Sequence, residues 1–293
     1  MPSSPDPSTP GETPTIRVGS AGFYESALMA EIYAQVLEAN GFEVDRDALQ
    51  TGPRDVTFPG LQNGDFDMMP EYIGSLLEFA NENAGEASGD AAATAEALQA
   101  QLDELDLTAL GYTAAIDTNA YVVRQDTADE YGLATMSDLA DVQDELSWGL
   151  PPECVTNPLC GGALTDDYGI DLDAIDVTEL GACDAPMAQA LNEGGIDVAQ
   201  LCSTQPDIER FGFVLLEDDQ GTQPADAIAP VFRNEILEAA GGADALAALL
   251  DPVSDAMTTE DLTALNVRVG LDQEDFADVA TDWLTENGLL TDG

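Results

Sequence analysis

Short apolar segments alternate with amphipathic stretches through the first hundred residues, and this alternation restricts the fold more than any other feature. Residues 15–19 have a strand pattern, and a second strand pattern occupies residues 42–45. Between them, residues 25–40 have a helical pattern whose apolar side chains share one face: Leu28, Ile32, Val36 and Ala39. Such alternation is typical of α/β proteins with a largely parallel sheet. We therefore predict an α/β fold.

Two long apolar segments further along the chain predict crossings between two lobes. They cover residues 112–123 and 211–216, and strand and helix patterns alternate again between them. The first lobe is predicted to take residues 15–117 and 217–293, and the second to take residues 118–216. Because clefts between domains are common ligand sites, we expect a ligand cleft between the lobes.

The charge of the chain is strongly unbalanced. Among 293 residues there are 58 acidic side chains and seven basic ones, all of them arginine, and the formal net charge is -51. A surface this negative repels nucleic acid and anionic lipid headgroups, so nucleic-acid binding is excluded. The composition favours a halophilic protein, because salt screens the self-repulsion of its acidic surface. An engineered or solubility-biased surface is the alternative.

The absence of lysine and histidine also bears on catalysis. It removes the commonest general base and the Schiff-base nucleophile. Acidic residues are so abundant that no pair of them points to a catalytic site. The phosphate-binding and dinucleotide-binding motifs are absent as well. We therefore expect a binding protein rather than an enzyme.

The first 14 residues differ in composition from the rest of the chain. They are rich in proline, serine and threonine, which is typical of a disordered linker. We expect this linker to follow a removed N-terminal lipoprotein signal and to tether the protein to the outer face of the cell membrane. The expected location is therefore extracytoplasmic.

The chain has four cysteines, Cys154, Cys160, Cys183 and Cys202. Their spacing is not a metal-ligand pattern, and without histidine a zinc site is disfavoured, so we expect no cofactor. An even number of cysteines fits two disulfides formed in an oxidising compartment. Three connectivities are open. The pairing Cys154–Cys160 with Cys183–Cys202 is the simplest, because each bridge then stays within a local segment.

Several strings of the chain are highly specific together, by their order and spacing, and one of them is Leu-Gln-Asn-Gly-Asp-Phe-Asp-Met-Met-Pro-Glu-Tyr-Ile-Gly-Ser at residues 61–75. It resembles the pattern G-D-x-D-x-x-P-E-Y-x-G-[ST] of the glycine betaine/choline substrate-binding protein family of ABC importers, and the likeness to actinobacterial members runs from about residue 15 to 290. Further strings follow in the family's order at residues 19–26, 30–41, 118–121, 151–160, 190–198, 203–204, 214–219 and 223–226.

The resemblance implies a type II periplasmic-binding-protein fold with two interlobe crossings. It also implies an extracytoplasmic solute-binding protein of an ABC importer, whose partners are a small-molecule solute and a membrane permease. In the family, aromatic side chains form a cage around the trimethylammonium group of solutes such as glycine betaine or choline, which attract aromatic faces by cation–π interaction. We expect a monomer.

Matching the family's positions to this chain predicts the ligand contacts. Tyr72 and Tyr121 match cage tyrosines, and a core or rim aromatic is the alternative for Tyr72. Ser75 matches a residue that could bind a carboxylate or hydroxyl, and Asn119 and Thr204 could instead serve as an inter-strand hydrogen-bonding residue and a helix N-cap. The full predicted set is Phe23, Tyr24, Tyr72, Ser75, Asn119, Tyr121, Asn157 and Thr204.

The chain departs from the family at positions that grip the ligand carboxylate. Ala21 and Asn157 stand where many members have basic residues, and further cage tyrosines of the family fall near Cys183 and Cys202. These departures favour choline or another cation without a carboxylate. A polyamine, an amino acid or ectoine is an alternative ligand, and a non-transporting sensor with the same fold is an alternative function.

Overall fold

Two sheets of five strands form the framework of the protein in a computed structural model, which describes residues 14–181, 183 and 185–290. The predicted linker, apart from Pro14, lies outside the described residues. The strands are β1 (Thr15–Ala21), β2 (Glu43–Gly52), β3 (Met68–Tyr72), β4 (Leu107–Ala109), β5 (Asn119–Val123), β6 (Ser147–Leu150), β7 (Asp176–Glu179), β8 (Val198–Cys202), β9 (Val214–Leu215) and β10 (Ile228–Arg233).

The first sheet combines strands from both ends of the chain, in the order β2-β1-β3-β10-β4. β1 is parallel to β2 and β3, whereas β10 is antiparallel to β3 and β4. The sheet is therefore mixed, and the prediction of a largely parallel sheet holds only for its N-terminal strands. The reason is that β10 enters this lobe from the other one, in the opposite direction.

The second sheet has the order β7-β6-β8-β5-β9. β6 is parallel to β7 and β8, whereas β5 is antiparallel to β8 and β9. Here too the antiparallel strand is one next to a crossing, because β5 is the first strand after the chain leaves the first lobe. The two mixed sheets with their helices confirm the predicted α/β class.

Helices cover both sheets. They are α1 (Tyr24–Ala39), α2 (Arg54–Asn63), α3 (Ile73–Ala80), α4 (Ala91–Asp103), α5 (Gln125–Tyr131), α6 (Ala185–Asn192), α7 (Asp207–Phe211), α8 (Asn234–Ala239), α9 (Ala243–Ala256), α10 (Thr259–Asn266) and α11 (Phe276–Glu286). Short 3₁₀ turns cover Met136–Asp141, Gln143–Glu145 and Cys154–Thr156, and π-helices cover Pro158–Asp167 and Val267–Leu271.

α1 is the central helix of the first lobe. Twelve of its sixteen residues are buried, and it packs against α9, α10 and α11. Its Tyr33 hydroxyl lies 3.1 Å from the Ser254 hydroxyl of α9, which satisfies both groups inside the core. The helix ends at Ala39 with Asn40 as its C-cap, and Gly41 follows with a φ of 90°, a conformation that glycine adopts without strain. This packing fixes the first turn of α1, where the candidate site begins.

The first crossing differs from the single extended segment predicted over residues 112–123. β5 begins only at Asn119, and the residues before it run between the lobes without regular structure. Ile116 forms an isolated antiparallel bridge with Ala227, and the Asp117 amide donates to the Asp226 carbonyl at 3.1 Å. The two crossings are therefore paired with each other.

The return crossing was placed wrongly at residues 211–216. Phe211 ends α7, and Gly212 follows with a φ of 65°, so the apolar run is broken after its first residue. Only Val214 and Leu215 form a strand, and they pair with β5 inside the second lobe. The chain stays bound to the second lobe beyond Leu216, since the Glu217 amide donates to the Ala134 carbonyl and Gln223 donates to the Leu159 carbonyl, and it meets the first crossing at Asp226. Apolar composition predicted burial correctly for Phe213 and Leu216, but it did not reveal the glycine turn.

Both expected disulfides are present, Cys154–Cys160 and Cys183–Cys202. The connectivity is the local one, and each bridge lies in the second lobe. The first closes the turn between β6 and the long π-helix, and the second ties the segment before α6 to the end of β8. Among the described residues, every helix is too short or too polar to span a bilayer.

Candidate ligand site between the lobes

The loop between β1 and α1 supplies two predicted aromatic contacts. Phe23 is extended, with a φ of -109°, and its ring centroid lies 5.8 Å from that of Tyr72 at an angle of 38°. Tilted pairs at this separation are a favourable aromatic geometry. The Tyr24 ring instead lies against the backbone of Gly270 in the C-terminal π-helix. The structure thus brings Phe23 and Tyr72 together and turns Tyr24 toward the packing of the first lobe.

Glu25 is the centre of the contact between the lobes. Its carboxyl accepts hydrogen bonds from Tyr72 Oη at 2.6 Å, Thr204 Oγ1 at 2.6 Å and Asn266 Nδ2 at 2.5 Å. Tyr72 and Asn266 belong to the first lobe, whereas Thr204 follows β8 of the second. Only 3% of Glu25 is exposed. The two lobes are therefore in direct contact over this carboxyl.

Asp117 lies beside Glu25, in the first crossing. Its Oδ1 accepts the Thr204 amide at 3.0 Å and the Ser203 hydroxyl at 3.1 Å. Thr204 therefore donates to both carboxyls, through its hydroxyl to Glu25 and through its amide to Asp117. Contact between Thr204 and a ligand stays a prediction. Its side chain already joins the two lobes through the hydrogen bond to Glu25.

The electrostatics of this acidic pair follow from its burial. Burial raises the pKa of Glu25, and hydrogen bonds from Thr204, Tyr72, Asn266 and Asp117 lower it again only in part. Burial and then the charge of Glu25 raise the pKa of Asp117 well above its usual value. The Tyr72 hydroxyl is also held protonated, because burial and the same charges raise its pKa. The site favours either a proton or another cation.

A second buried carboxyl, Asp226, holds the start of α3. Its oxygens accept the Gly74 amide at 2.7 Å, the Ser75 amide at 3.0 Å and the Ser75 hydroxyl at 2.5 Å. Asp226 lies in the return crossing, so this contact fixes the crossing to the helix after Tyr72. Ser75, predicted as a ligand contact, is engaged with Asp226 in this structure.

Asn119 and Tyr121 were expected on one face of a strand, and β5 does contain both. Asn119 Nδ2 donates to the Leu159 carbonyl and to Gln223 Oε1, each at 3.1 Å, and its Oδ1 accepts from Gln200 at 2.7 Å. Tyr121 is 1% exposed, and its hydroxyl lies 3.3 Å from Cys160 Sγ.

The surroundings of Tyr121 separate it from the other predicted aromatic contacts. It packs in the core of the second lobe, whereas Phe23 and Tyr72 pack with the core of the first. The structure therefore does not bring the two predicted cage tyrosines into one cluster. The contacts of Tyr121 are those of a core residue of the second lobe.

Asn157 lies between the cysteines of the first disulfide. Its side chain accepts the Leu159 amide at 2.9 Å and caps the long π-helix. Asn119 and Gln223 both donate to the Leu159 carbonyl, so this turn is tied to β5 and to the return crossing. Asn157 is thus joined to Asn119 through one residue.

The second disulfide also reaches the interlobe cluster. The sulfur atoms of Cys183 and Cys202 and a carboxylate oxygen of Asp117 all lie within 4.8 Å of one another. Both sulfurs are engaged in the disulfide, so they are not thiolate ligands for a metal. The disulfide therefore lies next to Asp117, at the contact between the lobes.

Every arginine of the chain lies in the described residues and is paired with an acidic side chain. The pairs include Arg54 with Glu71 at 2.8 Å and Arg124 with Asp197 at 2.8 Å. The others involve Arg17, Arg46, Arg210, Arg233 and Arg268. No arginine in this part of the chain is left without a carboxylate, and Ala21 offers no charge. A ligand carboxylate would therefore rely on neutral donors.

Sequence reasoning missed four residues of this cluster as site residues, Glu25, Asp117, Asp226 and Asn266. Asp117 directly precedes a string that resembles the family, and Asp226 ends another, so position offered a signal for both. Glu25 lies in the first turn of α1, where an acidic residue is also favoured because it stabilises the helix start, so its position alone does not indicate a site. Asn266 had no sequence signal, because it is 241 positions from its partner Glu25.

Known proteins similar to this chain are binding proteins. The glycine-betaine-binding protein of Pseudomonas aeruginosa is 29% identical over 290 residues, which cover 95% of this chain and 90% of that protein. The glycine betaine-binding protein YehZ of Escherichia coli is 27% identical over 281 residues, covering 93% and 90%. The carnitine transport binding protein OpuCC of Listeria monocytogenes is 25% identical over 284 residues, covering 94% and 88%.

Solved structures share the fold. The crystal structure of a glycine betaine/carnitine/choline ABC transporter matches with a TM-score of 0.75 at 22% identity, covering 94% of this chain and all of that one. Apo YehZ from Escherichia coli matches with a TM-score of 0.68 at 27% identity, covering 94% and 99%. The predicted two-lobe, type II periplasmic-binding-protein fold is thereby confirmed.

Two lobes that meet over a buried polar cluster, in a chain with these relatives, define a solute-binding protein of an ABC importer. Residues 14–286 match the OpuAC family, the substrate binding domain of ABC-type glycine betaine transport systems, and the chain belongs to that family. Proteins of this class are binding proteins rather than enzymes. They work outside the cytoplasm, and their partners are a small-molecule solute and a membrane permease.

Proposed function

We propose that this protein captures a small quaternary-ammonium solute between its lobes and delivers it to the permease. The observation that carries the proposal is the aromatic pair of Phe23 and Tyr72 beside the buried carboxyls of Glu25 and Asp117. A quaternary ammonium has no N–H group to donate, so it is recognised by aromatic faces and by negative potential. The cluster offers both.

The names of the relatives support the same ligand class. They are described as binding glycine betaine or carnitine, and a structural neighbour with a TM-score of 0.65 is a choline-binding protein in complex with choline. Glycine betaine, choline and carnitine share a trimethylammonium group. For this chain we propose binding of a trimethylammonium compound, and the names of the relatives do not select one particular solute.

The polar half of the site is proposed to consist of neutral donors. Ser75, Asn119, Asn157 and Thr204 are the predicted polar contacts, and all of them already hold hydrogen bonds in the closed structure. Because every arginine is paired with an acid, a solute with a hydroxyl is a better match than one with a carboxylate. Choline is therefore the solute that we place first.

The predicted boundaries and attachment complete the proposal. Residues 15–117 and 217–293 form the first lobe, and residues 118–216 form the second. The two sheets divide between these ranges, and this division supports the boundaries. The protein acts as a monomer that is tethered to the outer face of the membrane by its N-terminal linker and a lipoprotein anchor.

Calorimetric titration in molar salt tests the function. We expect choline or glycine betaine to bind with micromolar affinity, and a second trimethylammonium compound to displace the first. Spermidine, ectoine and proline serve as the comparison ligands, because they lack that group. Strong binding of spermidine with no heat from any trimethylammonium compound would reject the proposed ligand class and support a polyamine instead.

A further inference from the structure

We propose that Glu25 and Asp117 share one proton in the ligand-free site and release it when the cationic solute binds. The inference rests on the proposed function and adds to it a link between solute capture and pH. It starts from the position of the two carboxyls, which are buried side by side where the lobes meet.

The hydrogen bonds around the pair show why a proton belongs there. Thr204 donates its hydroxyl to Glu25 at 2.6 Å and its amide to Asp117 at 3.0 Å, so one residue holds both carboxyls in place. The two carboxyls are also close enough for the charge of Glu25 to raise the pKa of Asp117. Two buried carboxylates this close repel each other, and one shared proton removes that repulsion. The geometry is therefore that of an acid and its conjugate base.

The other side chains around Glu25 and Asp117 do not neutralise the negative charge of the pair. The Tyr72 hydroxyl and the Asn266 amide face Glu25, and both are neutral donors. Asp226 adds a further acidic side chain near Tyr72. Arg54 is a basic group near Tyr72 and Asp226, but its guanidinium binds Glu71 at 2.8 Å.

A second observation indicates that a ligand completes the cluster. Asn266 is 1% exposed, and its Oδ1 has no hydrogen-bond partner among the residues that the structure describes, although the Nδ2 of the same amide donates to Glu25. A buried acceptor without a partner is costly. The hydroxyl of choline is a donor that could satisfy such an acceptor, whereas the trimethylammonium group alone could not. The cluster therefore presents both a place for positive charge and an open acceptor.

The charges balance in the proposed exchange. The pair with one shared proton has a charge of about -1, because one of its two carboxyls is ionised. When a monocation enters and the proton leaves to the buffer, two carboxylates and one cation again give about -1. No net charge is buried by binding. Proton and solute compete, so affinity rises with pH by up to about tenfold per pH unit while the pair still holds its proton.

The experiment is titration of the whole protein with choline, and separately with glycine betaine, at about pH 5 and about pH 8. At each pH it uses two buffers that differ in ionisation enthalpy. We expect affinity for the solute that binds to rise at least fivefold from the lower to the higher pH. The observed heat should differ between the buffers by the amount that corresponds to proton release.

Glu25→Gln is the test variant, because glutamine can still accept from Thr204 and Tyr72. It should bind with affinity independent of pH and with equal heats in the two buffers. Glu31→Gln is the matched control on the same helix, since Glu31 is buried but paired with Arg46, and it should behave as the wild type. If Glu25→Gln does not fold, Asp117→Asn is used in its place. The difference between the binding heats of the wild type in the two buffers tests proton release without any variant.

The outcomes separate this inference from the proposed function. Binding of choline or glycine betaine with equal affinity at both pH values and equal heats in both buffers would overturn the shared proton and leave the function intact. A Glu25→Gln protein with the pH dependence of the wild type would overturn the assignment to this pair. Failure of both solutes to bind would overturn the function and the inference with it.

Discussion

The Thr204 hydroxyl of the second lobe donates a 2.6 Å hydrogen bond to the Glu25 carboxyl of the first. Both residues are buried, so the bond exists only while the lobes are closed on each other. A hydrogen bond to a charged group contributes about 1.5 to 3 kcal/mol. This contact is therefore a measurable part of the difference between the open and the closed protein.

Thr204→Val removes the donor and keeps the shape of the side chain. We expect solute affinity to fall about tenfold, because the closed state loses one charge-assisted hydrogen bond. Thr204→Ser should restore most of the affinity. Titration calorimetry gives the affinities, and small-angle scattering of the ligand-free proteins should show a more open Thr204→Val protein. A valine variant as closed and as tight-binding as the wild type would contradict the assignment.

Tyr72→Ala should weaken binding of the solute by about 1 to 2 kcal/mol, through the loss of cation–π attraction and packing. Tyr72→Phe keeps the ring and removes only the hydrogen bond to Glu25, so it should lose less. Tyr121→Phe is the control, since Tyr121 lies in the core of the second lobe. A larger loss of affinity for Tyr121→Phe than for Tyr72→Phe would argue for a cage in the second lobe.

The two disulfides should differ in what they contribute to stability. Replacing both cysteines of a pair with serine should cost about 2 to 4 kcal/mol, and more for the pair that closes the longer loop. Cys183 and Cys202 are 19 positions apart, whereas Cys154 and Cys160 are six apart. Denaturant unfolding measures the loss. A thiol assay under denaturing, non-reducing conditions should find no free thiol, and four would refute both bridges.

Salt should stabilise this protein. With a net charge of -51, self-repulsion opposes the compact state, and mobile ions screen it. We expect the melting temperature to rise steadily between about 0.1 M and about 2 M sodium chloride. Scanning calorimetry is the measurement, and sucrose at matched osmolality controls for effects that do not depend on charge. A melting temperature that is flat across this range would count against a saline adaptation.

Asp218 should make the free energy of unfolding fall at acidic pH. Its burial raises its pKa, but donors outweigh this effect and hold the pKa below the usual value; they are the Tyr168 hydroxyl, the Thr222 amide and hydroxyl, and the Gln223 amide. A lowered pKa in the folded state means that the stabilisation is full above the unfolded pKa of about 4 and is lost as pH falls through the folded value. Asp218→Asn should therefore show a smaller loss of stability between neutral and strongly acidic pH, as measured by urea unfolding. An acid dependence equal to that of the wild type would contradict this role.

The parts of the fold that sequence predicted well are those with a local cause. α1 was located to within about one residue, because its apolar period and the Asn40-Gly41 end are both local signals. The start of α10 has an equally local cause, because Thr258 and Asp261, three positions apart, form a capping box there.

Features that depend on distant partners were mispredicted. Residues 70–72 form the end of β3, although proline is rare in central strands and a local pattern therefore argues against a strand there. Pro70 lies opposite Pro230 of β10, so neither position requires a donor from the other. The return crossing was wrong for a related reason, since an apolar run does not reveal which sheet it joins.

The candidate site could be predicted only in part. Tyr72, Ser75 and Thr204 came from resemblance, and the structure places them beside the junction of the lobes. Glu25 could not be distinguished among 58 acidic residues in the sequence. Its role depends on hydrogen bonds from Tyr72, Thr204 and Asn266, which contact it only in the folded chain.

The pairing of the two crossings has a mechanical consequence. Ile116 and Ala227 form a bridge, and the Asp117 amide donates to the Asp226 carbonyl, so the lobes are joined by a short two-stranded ribbon. Two separate tethers would let one lobe swivel and slide over the other, whereas a ribbon bends readily about one axis and resists twist and shear. The lobes should thus open by hinge rotation about one axis, and each closure should return Thr204 to the same oxygen of Glu25.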